Sequence, residues 1–161
     1  MTRKLLPYLA ITIVTATAAQ MAVAGASPTK GIAVEHVATG EFDVQLNPVG
    51  PGDAPVGSMT IAKTFRGDLT ATSTGQMLAV RTPVNGSAGY VAMEQVSGTL
   101  AGKQGTFALQ HSGTMDKGAP TLSVIVVPDS ATGDLAGLTG SLAIVIEGGK
   151  HLYTFRYSLP Q

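Results

Sequence analysis

The chain contains no cysteine and no tryptophan, and only 12% of its residues are charged. Without cysteine there is no disulfide framework and no lipid-attachment cysteine. The charged fraction is about half of ordinary usage, and Thr, Ser, Gly and Val fill the gap, a composition that points to strands and turns. Basic residues do not cluster: Lys63, Arg66, Arg81, Lys103, Lys117, Lys150 and Arg156 are scattered, which argues against nucleic-acid binding. The three histidines, His36, His111 and His151, lie far apart with no H-x-H or H-E-x-x-H spacing, so no metal site is expected and no cofactor is implied. There is no D-T-G or D-S-G triplet of an aspartic protease. The Gly-rich stretches fall within hairpins rather than between strand and helix, so they form no phosphate loop.

What is present begins with a leader. Arg3 and Lys4 form a short positive region, followed by an apolar stretch from Leu5 to about Val14 that fades into small residues through Ala26. Ala22-Val23-Ala24 and Ala24-Gly25-Ala26 are two alternative signal-peptidase sites. The apolar core is short and interrupted by Pro7 and several Thr, which disfavours the competing reading of a retained membrane anchor. Residues 1–26 are thus expected to be a signal peptide, 27–38 a flexible lead-in, and 39–161 a single domain, periplasmic or secreted from a bacterium. Loss of Arg3 and Lys4 leaves eight of the ten basic residues against ten acidic ones, a net charge of −2.

From Gly40 onward the hydrophobic period is two. Phe42, Val44 and Leu46 alternate with polar residues, as do Met59, Ile61 and Phe65, with Lys63 an odd member of that apolar face. Leu122, Val124 and Val126, then Leu142, Ile144 and Ile146, then Tyr153, Phe155, Tyr157 and Leu159 continue the pattern. Alternation punctuated by Gly, Pro and Asp predicts half-buried antiparallel strands. Asn47–Val56, with three prolines, predicts a loop. Turns are expected at Arg66-Gly67-Asp68, Gly102-Lys103 and Gly148-Gly149, with a longer connection from Pro128-Asp129-Ser130. Residues 98–109 are echoed at 133–144 with glycines and apolar positions in step, which suggests one bent hairpin used twice. The fold class that follows is all-β, a small antiparallel β-barrel of about seven or eight strands, with a β-sandwich as the alternative. A membrane barrel would need its apolar face outward and its polar face inward, and most strands here carry an apolar face crowded enough to be the core.

One rung stands out. Pairing across a Gly102-Lys103 turn places Glu94 opposite His111, on the same face as Val96, Leu100, Phe107 and Leu109. A carboxylate beside an imidazole can fix its tautomer and raise its basicity, giving a general acid or base in a partly dry cavity. Tyr90 extends the same face and can hydrogen-bond a bound oxygen. Lys63 is either an inward cation paired with Glu94 or a snorkelling residue at the rim, and the rim is the simpler expectation. The bland alternative is a buried polar pair that satisfies itself and fixes register. Ser112 adjoins His111 but points to the opposite face, so the two form no dyad. Asp129 and Asp134 are read as turn residues.

The segments GSMTIAKTFRGDLTATSTGQML, GSAGYVAMEQVSGTLAGKQGTFALQHSGTM and LSVIVVPDSATGDLAGLTGSLAI resemble an uncharacterised bacterial family of small β-barrel proteins, a domain of unknown function similar in shape to the allene oxide cyclase barrel. The resemblance spans about residues 39–160. It implies an antiparallel barrel able to self-associate as a homo-oligomer, and it supports Tyr90, Glu94 and His111 as positions of interest. The functional expectation is an exported soluble barrel that binds a small, largely apolar ligand through Tyr90, Glu94, His111 and Lys63. The alternatives are an isomerase, cyclase or hydrolase with Glu94 and His111 as catalytic acid/base pair, and a structural or interaction protein with a packed interior. Whether the chain is an enzyme stays open at this point.

Overall fold

The computed structural model describes residues 34–52 and 54–160, so the expected signal peptide lies outside the described residues. Eight strands close into one antiparallel barrel in sequence order: β1 (Glu35–Val49), β2 (Gly57–Gly67), β3 (Leu69–Arg81), β4 (Ala88–Leu100), β5 (Lys103–Asp116), β6 (Ala119–Val126), β7 (Thr139–Glu147) and β8 (Lys150–Ser158). Closure by β1–β8 pairing, with His36 opposite Tyr157 and Phe42 opposite His151, completes the barrel and removes the sandwich alternative, although β6 and β7 are joined by the single pair Ile125 and Ser141. β1 starts at Glu35, so Glu35–Ala38, expected in the lead-in, belong to the barrel wall. A single 3-10 turn, Gly133–Leu135, is the helical element among the described residues, and none of their helices is long and apolar enough to cross a membrane.

The period-two pattern sorts each strand cleanly. Ala38 and Phe42 of β1, Phe65 of β2, Leu69 and Ala71 of β3, Val96 and Leu100 of β4, Phe107 and Leu109 of β5 and Phe155 of β8 form one buried cluster. Leu135 and Leu138 from the β6–β7 connection plug it. Full burial of such side chains stabilises by roughly 1.5–3 kcal/mol each. This cluster fills the end of the barrel that holds the β2–β3 and β4–β5 turns. The opposite end, where β1 meets β2 and β3 meets β4, is the one near the site.

Two turns differ from expectation. The β4–β5 turn is centred on Ala101-Gly102, with φ of 47° and 83°, so Leu100 pairs with Lys103 and the whole register is two residues from that of a Gly102-Lys103 turn. Glu94 therefore stands opposite Leu109, and His111 opposite Ala92. The echo at 133–144 is not a second hairpin. Its Leu135-Ala136-Gly137-Leu138 stretch, with Ala136 at φ −52° and ψ 131° and Gly137 at φ 79°, is a turn closed by the Leu138 N–H on the Leu135 carbonyl. The same Leu-Ala-Gly triplet makes two turns because Gly133 and Asp134 lie in the 3-10 turn, whereas Gly98 and Thr99 lie in a strand. The Gly148-Gly149 turn stands as expected, with Glu147 opposite Lys150.

Candidate functional site

Four consecutive strands each turn one polar side chain inward: Lys63 from β2, Ser73 from β3, Glu94 from β4 and His111 from β5. All four are buried, Glu94 at 1% exposure and His111 at 4%. Inward placement follows from alternation, because Lys63 sits between Ile61 and Phe65, Ser73 follows Ala71, and Glu94 falls between Ala92 and Val96. Glu94 is the hub. Lys63 Nζ donates to its Oε2 at 2.6 Å, the Ser73 hydroxyl donates to Oε1, and His111 Nε2 approaches Oε2 at 2.9 Å. The ammonium also lies over Phe42 and Phe65, 4.9 and 5.7 Å from the ring centroids. The diagonal offset between Glu94 and His111 is short enough to bridge, so the two-residue register difference keeps the acid and the imidazole in contact.

The His111 contact is short but bent. Nε2 is close to Oε2, yet no oxygen lies along its N–H axis, and this buried nitrogen has no aligned partner among the described residues. Separation governs the electrostatic effect on the carboxylate, whereas alignment governs whether the imidazole is satisfied. Burial pushes the Glu94 carboxyl pKa up. The His111 contact, the Lys63 charge and hydrogen bond, and the Ser73 hydroxyl outweigh that, and the value falls to about 2. Glu94 is thus ionised throughout the physiological range and has no proton to give. Its oxygens accept from Lys63 and Ser73 and lie beside His111 Nε2, which makes it a poor base. The Tyr90 hydroxyl, in turn, is pushed above its ordinary value by burial and by the Glu94 charge.

Above this quartet, toward the end away from the packed cluster, the inward face turns apolar and opens. Leu46 of β1, Met115 of β5, Leu122 of β6 and Ile146 of β7 all hold inward positions, yet are 47%, 42%, 40% and 68% exposed. Met59 and Met77 face each other directly across β2–β3 at the same end. A hollow of about 530 Å³ lies there, under the loop after β1, with Pro48, Gly57, Met59 and Ala79 among its walls. The hollow stops short of the quartet, since none of the four residues lines it. Tyr90, half-buried on β4, pairs with Gly113 and lies across it; a Cβ at 113 would strike the Tyr90 ring.

The family model described as "Protein of unknown function (DUF3224)" matches residues 38–157. The chain belongs to the DUF3224 family. A crystal structure of a DUF3224 protein with unknown function from Shewanella oneidensis MR-1 is similar, with 47% identity, a TM-score of 0.75, and coverage of 80% of this chain and 99% of that one. No curated protein matches. Neither match carries the likeness to the allene oxide cyclase barrel.

Within this DUF3224 barrel, Glu94, His111 and Lys63 come together and Tyr90 stands nearby on the same face. Lys63 departs from the rim expectation: it is buried, and Glu94 holds it there. Ser73 is the residue that sequence reasoning missed. Its signal was a hydroxyl in an otherwise apolar inward series, Leu69-x-Ala71-x-Ser73, visible once β3 was phased. His151 packs on Phe42, 5.1 Å between centroids, and His36 stacks on Tyr157, so neither joins the quartet. Asp134 accepts the Gln104 N–H, and Asp129 holds a turn at φ 59°.

Proposed function

We propose that this DUF3224 barrel takes up a small, largely apolar molecule through its open end, with Tyr90 on the wall and the polar groups of Lys63, Glu94 and His111 lying deeper, beneath the hollow. One observation carries the reading: apolar side chains that point into the barrel are nevertheless exposed at that end, on strand after strand, above a buried histidine nitrogen with no aligned partner. Apolar concavity with a few convergent polar groups is the usual form of a small-molecule site. Met59 and Met77 suit such a throat because unbranched thioether chains re-pack easily. The test is titration with an uncharged fluorescent naphthylamine probe. Saturable enhancement that Leu122→Asp and Ile146→Asp abolish, at unchanged melting temperature, supports the reading. Absence of saturable binding overturns it.

A second reading, acid/base catalysis, is favoured by the Glu94–His111 contact alone. In it a small rotation of the imidazole brings Nε2–H onto Glu94, and Nδ1 is left as the base. Turnover of a candidate substrate that survives His111→Ala sinks it. The leader pattern of residues 3–26 supports export. Mature protein from a periplasmic fraction then begins at Gly25 or Ser27, and an intact Met1 contradicts export.

A further inference from the structure

We propose that the outer wall formed by β3–β6 seats a second copy of this chain in a two-fold symmetric dimer. The inference is independent of the small-molecule reading and starts from where the charges lie. On the opposite wall Arg66 pairs with Asp43, Lys150 with Glu41 and Arg156 with Glu35, so β8, β1 and β2 carry a belt of exposed ion pairs. The outward positions from Thr70 to Val80 on β3, Gly89 to Thr99 on β4, Gln104 to Thr114 on β5 and Ala119 to Ile125 on β6 hold no charged side chain. Within this wall stands an apolar ridge. Leu78 is directly opposite Val91, with Val80 and Met93 each two residues further along their strands, and the four are between 42% and 53% exposed. Alternation turns Val91 and Met93 outward, since Ala92 and Glu94 are buried. Depletion of charge around an apolar, methionine-bearing centre is the compositional mark of an interface core.

Beside the ridge, at its β2 edge, the wall is concave. A shallow hollow of about 440 Å³ lies between β2 and β3, bounded by Thr60, Ala62, Thr74 and Gln76. Gln76 also pairs with Met93 across β3–β4, so ridge and hollow adjoin with Gln76 on the line between them. A two-fold axis through Gln76 puts the ridge of each copy into the hollow of the other. The same symmetry accounts for the missing charge. Residues near a two-fold axis meet their own copies, and like charges there would repel. A different protein would find no charge on this wall to select or orient it. Threonine and glutamine beside the ridge, in place of aromatic or leucine side chains, suit a packed protein face better than a lipid surface. A contact confined to one side of the barrel falls at the small end of specific interfaces, about 1,200 Å² or less in total. The dimer is therefore expected to dissociate in the micromolar range.

The experiment is sedimentation equilibrium of the purified protein from about 1 to 500 μM, a range that brackets micromolar dissociation. The mass should rise from that of one chain toward that of two. Val91→Asp and Met93→Asp, both at outward positions, should hold it at one chain with the melting temperature unchanged. Val37→Glu, an exposed change on the charged wall, should leave association as it was. Because the chain has no cysteine, Gln76→Cys supplies a second readout. Under mild oxidation it should cross-link to its own copy as a disulfide dimer, and Val37→Cys should not. A mass of one chain throughout overturns the inference. So does association that survives Met93→Asp, or equal cross-linking of the two cysteine variants. Flotation of the protein with phosphatidylcholine vesicles, abolished by Met93→Asp, would assign the wall to lipid and overturn it as well.

Discussion

Lys63 and Glu94 meet at 2.6 Å although they belong to strands that are not neighbours: β2 and β4 reach over β3 inside the barrel, and Ser73 rises from β3 to complete the contact. The pair thus ties three strands by side chains alone, beneath a hydrogen-bond ladder that already joins them edge to edge.

Removing one partner should cost more than removing both. Lys63→Met leaves a buried carboxylate with no counter-charge, and Glu94→Leu leaves a buried ammonium; each should lose about 3–5 kcal/mol. The double variant Lys63→Met/Glu94→Leu should lose far less than the sum. Urea unfolding of the four proteins checks this, and additive losses would show the pair to be uncoupled.

Acid should weaken the fold through Glu94. Its carboxyl pKa is depressed from the ordinary 4.5 to about 2 in the folded barrel. A group with a depressed folded-state value stabilises the fold above its unfolded value and loses that contribution as pH falls. The contribution is then complete above about pH 5 and drains away toward pH 2, amounting to roughly 3 kcal/mol. The stability difference between the parent and Glu94→Gln, followed by denaturant midpoints from pH 7 down, should shrink across that window. A constant difference would contradict the assignment.

Ala101 offers a simple gain. It sits at φ 47° in an exposed two-residue turn, where a Cβ is disfavoured and Asn is the preferred residue before Gly. Ala101→Asn keeps the backbone N–H that bonds the Asp68 carbonyl at 2.9 Å. It should stabilise by about 0.5–1 kcal/mol, read as a higher melting temperature. The same change at Ala136, whose φ is −52°, should give no such gain.

Gly113→Ala should destabilise by about 1–3 kcal/mol, because the new methyl displaces the Tyr90 ring. In a Tyr90→Ala background the same change should be neutral or favourable, since alanine loses less backbone entropy than glycine in a strand. Thermal melts of the cycle test whether the Tyr90 ring rests on Gly113 in solution.

The strand phases were legible because alternation alone decides which residues face inward. That is why Glu94, His111 and Tyr90 could be placed on one face without coordinates. Register was harder. The sequence pattern favours glycine at the first positive-φ position, and Ala101 takes it instead, moving every β4–β5 pair by two. An even displacement preserves facing, so the site survived the difference; an odd one would have turned it inside out. The choice between the two readings of Lys63, and the part played by Ser73, were hard to decide for another reason. Their partner stands on a different strand, up to two away, and only closure of the barrel sets how far a side chain from β2 must reach. The echo misled because identical triplets answer to what precedes them, a strand at Gly98 and a tight turn at Gly133.

The pairing of β1 with β8 has a practical consequence. Glu35 and Ser158 are directly opposite each other, at the packed end of the barrel. A tag or surface tether joined beyond either strand end therefore anchors the molecule from below and leaves the mouth turned to solution. Joining those two ends with a short linker and reopening the chain at Gly148-Gly149 should give a permuted barrel with the same buried quartet.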